Sequence, residues 1–192
     1  MPSSNFIRWC WLAAMVGGVA WALATILPLV GPPGDWTGRT SLLFIIAVLL
    51  IGVGLVGLHD LQKGSYGRIG RAGFYTAIAG CLAQALGLVG LLAGTAVLGW
   101  LLIVGSLGLL VGFVLYGAAT LQARVLPRWC GIAFIVFLPV AILLGGYAPI
   151  LGGVASTFGG YAPVWIGLVW LALGYVLWSN RGTAAEQPSR VS

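Results

Sequence analysis

The sequence predicts an all-α, polytopic integral membrane protein: one transmembrane domain of six helices. Three observations carry this. Of the 192 residues, 60% are hydrophobic and 6% charged. Long apolar runs alternate with short polar breaks, and the basic residues fall almost entirely on every second break. A soluble domain carries about 25% charged residues, and twelve charges cannot cover one of this size. With a mean hydropathy of +1.08, the solvent has to be a lipid bilayer. The net charge of +6 is scattered through short loops without forming a dense patch, which argues against nucleic acid.

Residues 9–30 are the first apolar run, long enough at ~1.5 Å per residue to cross a core of about 30 Å. Arg8 precedes it, and Ala22-Leu23-Ala24 offers a signal-peptidase-like site. The run continues through Ile26, Leu27, Leu29 and Val30, so an uncleaved span is expected. Gly31 to Arg39, with Pro32-Pro33, breaks the helix. Thr40 or Ser41 can cap a second span over 42–61.

The third span is expected over 72–93 and the fourth over 97–121, with Gly94-Thr95 as a short turn between them. Gln122 to Arg128 is a second basic loop. The fifth span covers 129–151, with Pro139 expected to kink it. A Gly-rich connection follows, carrying Gly-Gly-Tyr-Ala-Pro at 145–149 and again at 159–163. The sixth span is 163–178, and 181–192 reads as a disordered cytosolic tail.

Orientation follows from the basic loops. Arg8, Lys63, Arg68, Arg71, Arg124, Arg128, Arg181 and Arg190 fall on one side and only Arg39 on the other. Both termini are therefore expected in the cytoplasm, with the chain in the cell membrane. Tryptophans are expected at the interfaces: Trp9, Trp129 and Trp178 inside, and Trp36, Trp100 and Trp165 outside.

Shifting the chain by 60 residues pairs Leu50, Gly52, Leu55, Gly57, Leu61, Gln62, Arg68 and Phe74 with Leu110, Gly112, Leu115, Gly117, Leu121, Gln122, Arg128 and Phe134. A shift of 120 pairs Arg8-Trp9-Cys10 with Arg128-Trp129-Cys130. Three parallel two-helix repeats, related by rotation about the membrane normal, would give this pattern. So would convergence on Arg or Trp at an interface followed by apolar filler.

Candidate chemistry is sparse. Buried ionisable residues mark function in membranes because burying them is costly, and the spans contain almost none. A carboxylate-driven pump, a retinal protein with a mid-span lysine, and bis-histidine haem ligation within one chain are all excluded. Cys10, Cys81 and Cys130 match neither a CxxC nor a zinc set and read as small apolar packing residues. No cofactor, metal site or catalytic constellation is expected.

Gln84 is the clear polar group at mid-depth, expected either to bond a neighbouring helix or to contact a solute. Tyr147 and Tyr161, in the repeated Gly-rich motif, could line an outer cup with Asp35, Arg39, Trp36 and Trp165, or anchor the interface. His59 and Asp60 form a possible polar site at the cytosolic face. Adjacent helical residues point about 100° apart, which disfavours a catalytic dyad. Gly90-x-x-x-Gly94, Gly108-x-x-x-Gly112 and Ala14-x-x-x-Gly18 permit close helix approach, within a compact bundle or towards a partner.

The first expectation is a non-enzymatic accessory or assembly subunit acting through helix packing. Its partners would be the bilayer, a membrane protein or a second copy, met through small-residue helix faces. The alternative is a transporter or facilitator of a small, weakly polar or lipid-like solute, which requires a central cavity. An enzyme built on His59 and Asp60 is the remaining reading.

Overall fold

The computed structural model describes the backbone of residues 4–30, 37–143 and 154–179; side chains at 4, 5, 7, 8, 28–30, 37, 38, 96 and 154–163 are not described. Among the described residues every regular element is helical. The helices are α1 (Ser4–Val30), α2 (Thr37–Gln62), α3 (Arg68–Leu92), α4 (Ala96–Ala123), α5 (Arg128–Leu143) and α6 (Val154–Ser179). The first four are long and apolar enough to cross a membrane; α5 and the part of α6 from Val164 to Ser179 are shorter apolar helices. This is the build of a membrane-embedded protein.

Neighbours in sequence are neighbours in space. α1 packs on α2, α2 on α3, α3 on α4 and α4 on α5, while α6 returns to α1. Glycine makes these approaches possible, because a backbone without a Cβ lets a second backbone come close. A Cβ at Gly112 in α4 would lie 2.5 Å from the amide nitrogen of Ala77 in α3, and one at Gly80 would lie 2.7 Å from that of Leu109. Between α1 and α6, Gly18 and Gly167 face each other's carbonyl oxygens; between α4 and α5, Gly117 faces that of Gly131. Gly57, late in α2, meets Cys10, early in α1; Gly112 of α4 meets Ala77 of α3; and Gly117, late in α4, meets Gly131, early in α5, so these pairs run antiparallel.

The outward faces carry large aliphatic and aromatic side chains instead. On α1 the exposed positions are Phe6, Trp9, Leu12, Val16, Val19, Leu23 and Ile26, a spacing of three or four that draws one stripe down the helix. Trp9 and Trp100 are 70% and 69% exposed, as side chains at a membrane interface would be.

Lys63, Arg68, Arg71, Arg124 and Arg128 are all exposed at one end of the bundle, around the turns after α2 and α4. At the opposite end the α3–α4 turn is closed by Gly94, whose φ of +68° is strained for any residue with a Cβ. α4 ends at Arg124, in the left-handed region with φ 52°.

Several boundaries differ from the sequence reading. α2 begins at Thr37, so Thr40 and Ser41 lie inside it and do not cap it. α6 begins at Val154, which puts the second Gly-Gly-Tyr-Ala-Pro inside the helix. Its Pro163 removes one N–H and does not stop the backbone from winding on. Just before Pro139, where a kink is expected, the helix takes a π-helical turn, Ala133–Phe137. There the Leu138 N–H bonds the Ala133 carbonyl, five residues back. Widening the helix here relieves the crowding of a proline ring against the carbonyl four residues earlier. The first Gly-Gly-Tyr-Ala-Pro and the 181–192 tail lie outside the described residues.

The pairs aligned by the 60-residue shift have different surroundings. Gln62 is fully buried and Gln122 exposed. Gly57 packs on Cys10 of α1, whereas Gly117 packs on α5.

Candidate functional site: a cavity shared by six helices

α3 and α4 meet along a seam of small residues, and the seam fixes Gln84. A Cβ on Gly105 would lie 2.6 Å from the Gln84 amide nitrogen, so the α4 backbone lies directly on that residue. The Ser106 hydroxyl donates to Gln84 Oε1 at 3.2 Å and to its own helix at the Leu102 carbonyl, 2.8 Å away. This is an interhelical hydrogen bond within an apolar surrounding, and it leaves Gln84 Nε2 with no acceptor among the described residues.

Gln84 is also on the wall of a cavity of about 620 Å³. Every helix contributes: Trp21, Val48, Gln84, Ser106, Ala141 and Trp170 come from α1 to α6 in turn. Among the described residues no charged one lines it. The size falls in the range of pockets that hold one small ligand, and the space between helices of a bundle is a common place for them. Gln84 is eight residues, about 12 Å along the axis, from the end of α3, so the cavity occupies the half of the bundle away from the basic turns. Ile103 lines it and is also 47% exposed on the outside of α4, so the cavity reaches the lipid-facing surface.

Its floor is aromatic. Phe113, Phe134 and Trp170 are buried, with ring centroids 5.6 to 6.2 Å apart. Tyr116 continues the stack edge-on to Phe134 at 5.3 Å. This plug closes the cavity towards the basic end. Two further donors occur on lining side chains: Trp21 Nε1 and Trp170 Nε1 are buried without an acceptor among the described residues.

Beneath the plug lies a polar chain. Gln62 Nε2 donates to Tyr116 Oη at 3.1 Å, Tyr116 is hydrogen-bonded to Tyr66, and the Tyr66 hydroxyl bonds His59 Nδ1. With Tyr66 donating to a neutral imidazole, each hydroxyl accepts one bond and gives one. His59 also stacks on Phe74, 3.9 Å between centroids and 17° from parallel. Asp60 turns away to an ion pair with Lys63. His59 and Asp60 are thus engaged with different partners and form no dyad.

Tyr66, in the turn after α2, is 6% exposed, and burial pushes its hydroxyl up to about 12 from an ordinary 10. The folded state keeps this proton at a pH where the unfolded chain releases it. Stability is therefore expected to fall as pH rises from about 10 through about 12. Chemical denaturation across pH 8–12 should show a shallower alkaline loss in Tyr66→Phe.

Of the residues singled out in sequence, Gln84 lies on the cavity wall and His59 and Asp60 at the basic end. Tyr147 lies outside the described residues, as does the side chain of Tyr161. Cys10, Cys81 and Cys130 are buried and unpaired by disulfides, and Cys81 reaches the cavity. Trp21, Trp170, Gln62, Tyr66 and Tyr116 were not singled out. The available signal was position: Trp21 and Trp170 lie well inside their apolar runs, away from the interface where tryptophan usually sits. Compared with protein-family models, curated proteins and solved structures, the chain has no match in any of the three, so its reading rests on this geometry.

Proposed function

We propose that the protein is a six-span protein of the cell membrane, both termini cytoplasmic, that holds one small apolar or weakly polar molecule between its helices. The basic turns all lie at one end, which supports the orientation by the positive-inside rule. The α1–α2 and α3–α4 pairs pack as two such repeats would, but α6 packs mainly on α1 and not on α5, and the paired residues have different surroundings. Binding is the function that the cavity supports best, and the observation that carries it is its uncharged lining, drawn from all six helices.

The reading as an accessory subunit needs a small-residue face left for a partner. Most described glycines in the helices pack within the chain, and the outer surface is bulky and aliphatic. The cavity is therefore the better basis. The aromatic floor favours a holder or a laterally loaded carrier over an open pore.

A ligand that binds only the folded state stabilises it, by about 2.7 kcal/mol at a hundredfold excess over Kd. Saturating 1-octadecene should raise the Tm of the purified protein in detergent. Ala141→Trp, which fills the cavity from a position 4% exposed, should fold and fail to respond. An equal shift in the variant would place binding elsewhere.

A further inference from the structure

The polar groups on the cavity wall are mismatched in one direction. Gln84 Oε1 already accepts from Ser106, while Gln84 Nε2 has no acceptor among the described residues. Trp21 Nε1 and Trp170 Nε1 likewise have none among the described residues, but both nitrogens are buried behind the wall, which leaves Gln84 Nε2 as the donor an occupant can reach. All three are N–H donors. Ser106 gives its only hydrogen to bonds within the protein, and among the described residues no cation lines the cavity to hold an anion. An unmatched donor in a low-dielectric site is costly, and an acceptor brought by a ligand removes that cost.

We infer that the occupant is a neutral, single-chain amphiphile with a carbonyl-type oxygen, an ester, ketone or quinone, that accepts a hydrogen bond from Gln84 Nε2 while its chain fills the apolar remainder. This rests on the cavity being a binding site and specifies what it selects. An ionised headgroup would be left without a counter-charge, and a plain hydrocarbon would leave the donors unmet. Gln84 is a specificity-determining residue, placed by the Gly105 contact and by Ser106. The opening beside Ile103 lets such a molecule enter from the bilayer.

The test compares methyl oleate with 1-octadecene, which each carry an 18-carbon chain with one double bond and differ in the ester and in where that double bond lies; Gln84→Met separates the two differences. Half-maximal thermal stabilisation is measured for each with the full-length protein in detergent. One hydrogen bond to the ester corresponds to about 2- to 10-fold tighter binding of methyl oleate. Gln84→Met should bind 1-octadecene as the wild type does and bring the ratio to one. Ser106→Ala keeps the Nε2 donor and should retain the preference, so the ratio can still be read if Gln84→Met fails to fold. If both compounds bind the wild type equally, or Gln84→Met keeps the preference, the donor assignment is overturned and the cavity stands as a site. If neither compound stabilises the wild type, both fall.

Discussion

Gly112→Leu and Gly80→Leu are expected to unfold the protein or to lower its stability by about 3 kcal/mol or more, the upper end of what overpacking costs. The reason lies in which atoms a side chain would strike. At Gly112 the first Cβ already meets the Ala77 amide nitrogen at 2.5 Å and its Cα at 2.7 Å; at Gly80 it meets the Leu109 amide nitrogen at 2.7 Å. Backbone atoms in the middle of two long helices cannot rotate aside as a side-chain end can, so α3 and α4 would have to part. That seam also holds Gln84 in place, so ligand response should disappear with it. Gly99 is the control: it is on α4, yet nothing lies within 4 Å of an added Cβ. Gly99→Ala should be neutral or stabilising by up to about 1 kcal/mol, since alanine is the better helix former. Denaturation in detergent compares the three variants. Equal effects would mean that close packing at the seam is not what holds the bundle.

The second large effect is expected at the buried pair Gln62 and Tyr116, both essentially unexposed. Tyr116→Phe removes the acceptor for Gln62 Nε2 and leaves that amide with only a 3.4 Å bond to the Leu58 carbonyl. Stranding a buried polar group costs about 1–3 kcal/mol. Gln62→Leu also removes the unpartnered Gln62 Oε1, so its cost should be smaller. The double variant should lose less than the sum of the two, with a coupling of about 1 kcal/mol measured by a double-mutant cycle. Strict additivity would show that the Gln62–Tyr116 bond contributes nothing to stability.

Much of the architecture was legible because the bilayer imposes it. Runs such as 42–61 have to be helical, since no other single segment satisfies its backbone in hydrocarbon. The basic turns around Lys63 and Arg124 were equally plain. The inward faces were harder to read. In a soluble helix the apolar side is the buried side, but here both sides are apolar, one towards lipid and one towards protein. Glycine carries the missing information: Gly80, Gly105 and Gly112 mark the seam between α3 and α4, and the motif at Gly108 pointed there. Gln84 stood out because a lone amide in a span is conspicuous. Gln62 did not, because beside His59, Asp60 and Lys63 it reads as loop, and only the inward turn of Tyr66 and Tyr116 buries it. The cavity was illegible for a further reason, since its wall takes residues from six separate helices and no local spacing encodes that meeting.

The most direct test of the central claim is saturable photolabelling with an apolar diazirine probe in bilayer nanodiscs, mapped by mass spectrometry. Trp100, 69% exposed to the surroundings, should label in proportion to probe. Phe113 and Trp170, buried beside the cavity, should label to a limit of one probe per chain, and excess 1-octadecene should compete that label away. Ala141→Trp should lose only the saturable part. Labelling of Phe113 and Trp170 that is absent, or that never saturates, would contradict a binding site between the helices.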